Sequence, residues 1–148
     1  MNATIEKFGY PETLIREYRH WVVMLRPAQV TTGSLVLAAK SEATAFGELA
    51  PEAFAEQANV VADIEAMLKA AVNFDKINYL MLMMVDPQVH FHVFPRYAGD
   101  RSVAGLTIAD SGWPGPPDLK SAIPLDQAKV RDVVRFLKGH MPNGAARD

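Results

Sequence analysis

Apolar residues fall along the chain in blocks, and the spacing inside each block predicts an element. From Leu14 to Leu25 the run is rich in β-branched and aromatic side chains (Ile15, Tyr18, Trp21, Val22, Val23) and closes at Pro27, which predicts strand, bent into a hairpin near Arg19. After Thr31-Thr32-Gly33 the compact apolar stretch Ser34 to Ala39 suits a buried strand. The period then changes. Pro51 stands where a first helical residue would, Glu52 follows in the first turn, and Phe54, Val61, Ile64, Leu68 and Val72 recur at helical spacing, which predicts a helix over about residues 51 to 73. Ile77 to Met84 and Val89 to Tyr97 are two strand-like runs joined by Val85-Asp86-Pro87-Gln88, a turn signal short enough for an antiparallel hairpin. Gly112-Trp-Pro-Gly-Pro-Pro117 marks the middle of a surface loop over about residues 98 to 124. Val130, Val133, Val134 and Leu137 predict a second amphipathic helix over about residues 126 to 138, stopped by Lys138 and Gly139, with a frayed tail beyond Met141.

Composition narrows the classes. With 148 residues, 49% of them hydrophobic, the chain suits one domain with a real core over residues 1–148. Fifteen Lys and Arg against seventeen Asp and Glu leave a net charge of −2, so there is no broad basic surface to bind a nucleic-acid polymer. Without cysteine there is no disulfide framework, no Cys-based metal site and no thiol nucleophile. The start of the chain has neither a basic n-region nor an apolar h-region, and no apolar run approaches the ~20 residues of a membrane-spanning helix. A soluble, cytoplasmic protein without a membrane partner is expected.

The chemistry concentrates in one strand. Of four histidines, His90 and His92 lie two apart in Gln88-Val-His-Phe-His-Val-Phe-Pro-Arg-Tyr97. On a strand, Gln88, His90 and His92 share one face at intervals of about 6.5 Å while Val89, Phe91 and Val93 take the other. A half-buried strand with two hydrogen-bonded histidines satisfies this pattern, and so does a divalent metal held by His90 and His92, although a third ligand would be needed and Arg96 would repel the cation. His20 and His140 read as structural or solvent-facing.

The same stretch resembles the histidine triad superfamily of nucleotide hydrolases and transferases, whose signature alternates His with apolar residues and then runs through two apolar residues into Pro-Arg. Aligned on Pro95-Arg96, Gln88 stands at the first His position, His90 at the second and His92 at the third. Upstream, Gly33-Ser34-Leu-Val-Leu-Ala-Ala-Lys40 is similar to the family's Gly-His-apolar-Pro-Lys strand, with Ser34 in place of His and Ala39 in place of Pro. Asn78 opens the penultimate strand as in many relatives. The resemblance covers about residues 14–97, and Ala98-Gly-Asp100 with Gly112-Trp-Pro-Gly115 resembles a bacterial branch that also has Gln before His-x-His, similar to diadenosine polyphosphate hydrolases.

The resemblance implies an α+β fold with about five antiparallel strands and two main helices, no cofactor, and commonly a homodimer. It makes His90 the nucleophile that attacks the α-phosphate of a purine nucleotide conjugate, such as a dinucleoside polyphosphate, and His92 its catalytic neighbour. Gln88, Asn78, Ser34 and Arg96 become the candidate substrate contacts, Arg101 a candidate for distal phosphates, and Trp113 either a lid over a purine or an anchor for its loop. Gln88 cannot titrate, so a nucleotide-binding or sensor protein with weakened turnover is the alternative to an enzyme, and a metal-binding protein a further one.

Overall fold

The computed structural model describes residues 1–143; the tail expected to fray beyond Met141 lies in part, at 144–148, outside them. The described chain runs α1 (Ala3–Lys7), β1 (Leu14–Glu17), β2 (Trp21–Leu25), β3 (Ala28–Gln29), β4 (Leu35–Ala39), α2 (Pro51–Val72), β5 (Lys76–Leu80), β6 (His90–Arg96), β7 (Ser102–Val103), β8 (Leu106–Thr107), β9 (Ile123–Pro124) and α3 (Gln127–Lys138). Five strands form one antiparallel sheet in the order β1-β2-β4-β6-β5, and α2 and α3 are its two main helices, an α+β arrangement. The predicted hairpin at Arg19 is present, β1 turning into β2 across Tyr18–His20.

Local chemistry accounts for both long helices. Pro51 takes the first position of α2, and Asn73 ends it in the left-handed region (φ 45°), with its N–H donating to the Lys69 carbonyl. Asp126 caps α3 by accepting from Lys129 N at 2.8 Å. Val60, Ile64, Met67 and Leu68 of α2 and Val130, Val133, Val134 and Leu137 of α3 are buried against Val23, Leu25, Leu35, Leu37 and Val93 of the sheet. This is the main core, each fully covered aliphatic side chain contributing about 1.5 to 3 kcal/mol.

The opposite face is covered as well. Val22, Met24, Val36 and Ala38 are buried there under Ile5, with Phe8, Tyr10 and Leu14 packed around them. Burial on both faces is why β2 and β4 read as continuous apolar runs rather than alternating ones. The cover is α1, a short helix the apolar spacing does not announce; Asn2 caps it by accepting from Ile5 N and anchors it through its amide to the carbonyls of Ala39 and Ser41. Among the described residues no helix is long and apolar enough to cross a membrane.

Two expectations are corrected. β5 stops at Leu80, so the connection to β6 spans residues 81–89 instead of a tight turn; Pro87 has no N–H to offer a ladder, and Met84 and Val85 are 81% and 82% exposed. The segment 98–124 is not only loop, because β7 and β8 form a small hairpin and β9 pairs with β3.

Gly33 turns the chain from the Thr31-Thr32 corner toward β4 at φ +92°, and a Cβ there would meet Pro95 and Leu68 only at ordinary contact distance. Backbone conformation alone therefore restricts the position. Gly33→Ala is expected to lower unfolding free energy by about 1 to 2 kcal/mol in chemical denaturation; an unchanged midpoint would show that the turn relaxes freely.

Candidate active site

β6 alternates as the sequence predicts. Phe91 and Val93 pack into the main core, while His90, His92, Phe94 and Arg96 take the other face, where Val36 and Ala38 of β4 are the partners of His92 and His90. The surface around the histidines is not open. Phe8 lies on both rings, with centroids 5.6 Å from His90 and 5.7 Å from His92, and the two imidazoles meet edge to face at 5.1 Å. His90 is 1% and His92 8% exposed.

Each ring has one nitrogen committed to the protein. His90 Nδ1 lies 2.8 Å from the Gln88 carbonyl oxygen. A carbonyl only accepts, so in the neutral ring Nδ1 carries the hydrogen and Nε2 keeps its lone pair. His92 is the reverse case. Arg26 Nε donates to His92 Nδ1 at 3.2 Å, so Nδ1 holds the lone pair and Nε2 the hydrogen. Two adjacent imidazoles thus present unlike atoms, a lone pair and an N–H donor.

Burial pushes the His92 pKa down to about 4, with the positive charge of Arg26 and coupling to the neighbouring His90 ring adding to the effect and Asp86 opposing it. His92 is a neutral ring throughout the physiological range.

The remaining candidates divide. Gln88 sits just before β6, its side-chain carbonyl accepting from the Thr4 hydroxyl, which in turn accepts from Gln88 N. Ser34 is wholly buried, and its hydroxyl donates to the Thr31 carbonyl at 2.8 Å and accepts from Val30 N and Thr31 N, so its hydrogen bonds go to the Gly33 corner. Arg96, another candidate substrate contact, is engaged by the protein itself. It is 3% exposed and grips Asp110 through Nε at 2.7 Å and Nη2 at 3.0 Å, while also donating to the Gly115 carbonyl and to Asn78 Oδ1. Asn78 is thereby the acceptor in a clamp that holds the 110–115 loop, away from the histidines. Lys76, Asn78, Arg96 and Trp113 line a cavity of about 450 Å³. Arg96 follows His90 by six residues, about 20 Å along β6. Arg101 donates to the carbonyls of Val72 and Asn73.

Three residues at the site went unread in the sequence. Arg26 continues the alternation of Val22 and Met24, a signal that becomes usable only once β2, β4 and β6 are in register. Phe8 and Thr4 arrive from a segment with no strand or helix period, and nothing local marks them. Among the described residues no three His, Asp or Glu side chains converge on a metal position.

The neutrality of His92 has a consequence for stability. Below pH 6.5 an unfolded chain takes up a proton that the folded ring refuses until about pH 4, so stability present above pH 6.5 is lost as pH falls toward 4. Between pH 7 and 4.5 the wild type is expected to lose about 2 to 3 kcal/mol more than His92→Gln in urea melts; parallel pH dependences would show that His92 titrates normally.

The sequence matches no protein-family model and no curated protein. Solved structures do resemble the chain. A histidine triad protein from Sinorhizobium meliloti superposes with a TM-score of 0.73 at 22% identity, over 95% of this chain and 96% of its own. A hypothetical histidine triad nucleotide-binding protein from Sulfolobus tokodaii gives 0.71 at 18% identity over 95% and 91%. A zinc-bound histidine triad family protein from Mycobacterium smegmatis gives 0.61 at 18% identity over 91% and 89%. The five-stranded antiparallel sheet with its two main helices is therefore the fold of the histidine triad proteins.

Proposed function

We propose that the chain is a nucleotide hydrolase or nucleotidyl transferase that attacks the α-phosphate of a purine nucleotide conjugate, such as a dinucleoside polyphosphate, through His90. The observation that carries this reading is the His90 ring itself, its Nδ1 hydrogen tied to the Gln88 carbonyl and its Nε2 lone pair left for attack. In the first step the bond from His90 Nε2 to phosphorus forms and the bond from phosphorus to the leaving oxygen breaks. The Gln88 carbonyl steadies the positive charge that develops on the ring. His92 Nε2–H donates to a phosphate oxygen, and the carboxamide of Gln88, its oxygen turned to Thr4, has N–H donors for another. Water then attacks phosphorus, the P–N bond returns its electrons to His90, and the water's proton passes to solvent. With His90 buried under Phe8, substrate access requires the Phe8 ring to move aside. A metal at this pair fits poorly, since the lone pair of His92 already accepts from the Arg26 guanidinium, whose charge would repel a cation, and among the described residues no third ligand converges on the pair.

A second copy of the chain belongs to the reading. β5 is an edge strand, and Leu82, Met84 and Val85 beyond it are exposed apolar side chains that pairing would cover. Light scattering on the full chain is expected to give twice the monomer mass, and Met84→Glu with Val85→Glu to halve it; a monomeric wild type would remove this part.

His90→Ala is expected to lower release of mononucleotide from diadenosine tetraphosphate by about 1,000-fold or more while melting within a few degrees of the wild type. Acid-quenched wild type incubated with α-labelled substrate should carry the nucleotide on His90. Turnover by the alanine variant at the wild-type rate would overturn the assignment, and nucleotide affinity without labelling or turnover would leave a binding or sensor protein.

A further inference from the structure

Arg26 is fixed from several directions. Its backbone N–H donates to the Ser34 carbonyl at 2.9 Å, and its carbonyl accepts from Gln29 Nε2 at 2.7 Å. Its Nη1 donates to the Ala28 carbonyl, and its guanidinium carbon stands 5.8 Å over the Phe94 ring, on which His92 stacks in turn with planes 6° apart. With Ser34 small and its hydroxyl turned into the corner, the guanidinium reaches across β4 and points Nε at His92. A guanidinium has donors and no acceptor, so the imidazole nitrogen facing it must accept. That nitrogen is the only place a second proton could go on a ring whose Nε2 already carries one. Protonation would set N–H against N–H and one cation against another.

We propose that Arg26 is a positioning residue that holds His92 as a neutral hydrogen-bond donor and so confines the reaction at His90 to nucleotides whose leaving group departs as an anion, nucleoside polyphosphates above all, excluding amine leaving groups that need a proton. This rests on the reading of His90 as the nucleophile. A neutral imidazole N–H does not give up its proton near neutral pH, and the Gln88 carboxamide does not titrate. The hydrogen on His90 Nδ1 is held by the Gln88 carbonyl. None of the three groups delivers a proton. Rupture of a Pα–O anhydride bond releases a phosphate oxygen that is stable as an anion, whereas rupture of a Pα–N bond to an alkylamine needs the nitrogen protonated first. The groups that act on His92 are the Arg26 guanidinium, the neighbouring His90 ring and Asp86; Asp86 alone favours its protonation, and Asp86 is itself paired with Lys7 at 2.6 Å. The depressed pKa of His92 agrees with this geometry.

The test compares kcat/KM for diadenosine tetraphosphate with that for the butylamidate of AMP, on the full chain and on Arg26→Gln and Arg26→Lys, beside an NMR titration of His92 in each. The wild type is expected to favour the polyphosphate by roughly 100-fold or more, with no His92 titration above about pH 5. Arg26→Gln should narrow that preference about tenfold, add an acid-favoured limb to amidate cleavage and raise the His92 titration by a unit or more, while Arg26→Lys, which keeps a cation, stays closer to wild type. An unchanged preference in Arg26→Gln, or a wild-type His92 titrating near its ordinary value, overturns the proposal. Should Arg26→Gln not fold, the wild-type preference and titration decide, and a preference near one overturns it. Absence of nucleotide on His90 with either substrate would instead defeat the nucleophile reading; the leaving-group half of the proposal falls with it, and the His92 titrations then judge the Arg26 contact alone.

Discussion

A sheet whose central strands are apolar on both faces must be covered twice, and the rest of this molecule follows from that requirement. β2 and β4 have no position open to water. One cover is the large layer of α2 and α3; the other is the small cap of α1, Phe8, Tyr10 and Leu14. The small cap lies on the face that bears His90 and His92, so the two imidazoles sit among side chains rather than in solvent. Interactions between charges and dipoles are stronger there than in water, and a ring that must charge is penalised.

Such a face tolerates polar atoms only where they are bonded, and the hydrogen bonds that satisfy them also decide what the rings can do. The Gln88 carbonyl takes the hydrogen of one ring and Arg26 takes the lone pair of the other. Satisfaction of the buried nitrogens and assignment of their chemical roles are the same event. Thr4 extends the arrangement to Gln88, tying the cap helix to the residue that precedes β6.

The far end of β6 serves another purpose. Arg96 and Asp110 are both buried and share two hydrogen bonds, and the same carboxylate accepts from Tyr97 N. Together with Asn78 and the Gly115 carbonyl they fasten the 110–115 loop across the sheet. Removal of one partner from a buried pair of this kind typically costs about 3 to 5 kcal/mol, because the other charge is left uncompensated. Arg96 thus holds the 110–115 loop against the sheet.

Local periodicity determined much of this protein. The helical spacing from Pro51 to Val72, the apolar runs of β2 and β4 and the two-residue alternation that sets His90 and His92 apart from Phe91 and Val93 are properties of neighbouring residues, fixed by backbone geometry wherever the segment packs. The order of these elements, with His-x-His running into Pro-Arg, was enough to indicate the fold. Only the tertiary structure decided which groups meet. Arg26 and His92 are 66 positions apart and touch because β2, β4 and β6 align in one register. Where the polar atoms of Ser34 and Arg96 find their partners, at the Thr31 corner and on the carboxylate of Asp110, is likewise decided by distant segments. Alternation reports only that the two faces of β6 differ, while whether either is wet depends on what a distant segment lays over it. Here that segment is α1 with Phe8, too short to carry a period of its own and held in place by contacts to Ala39, Ser41 and Gln88 that exist only after the sheet has formed.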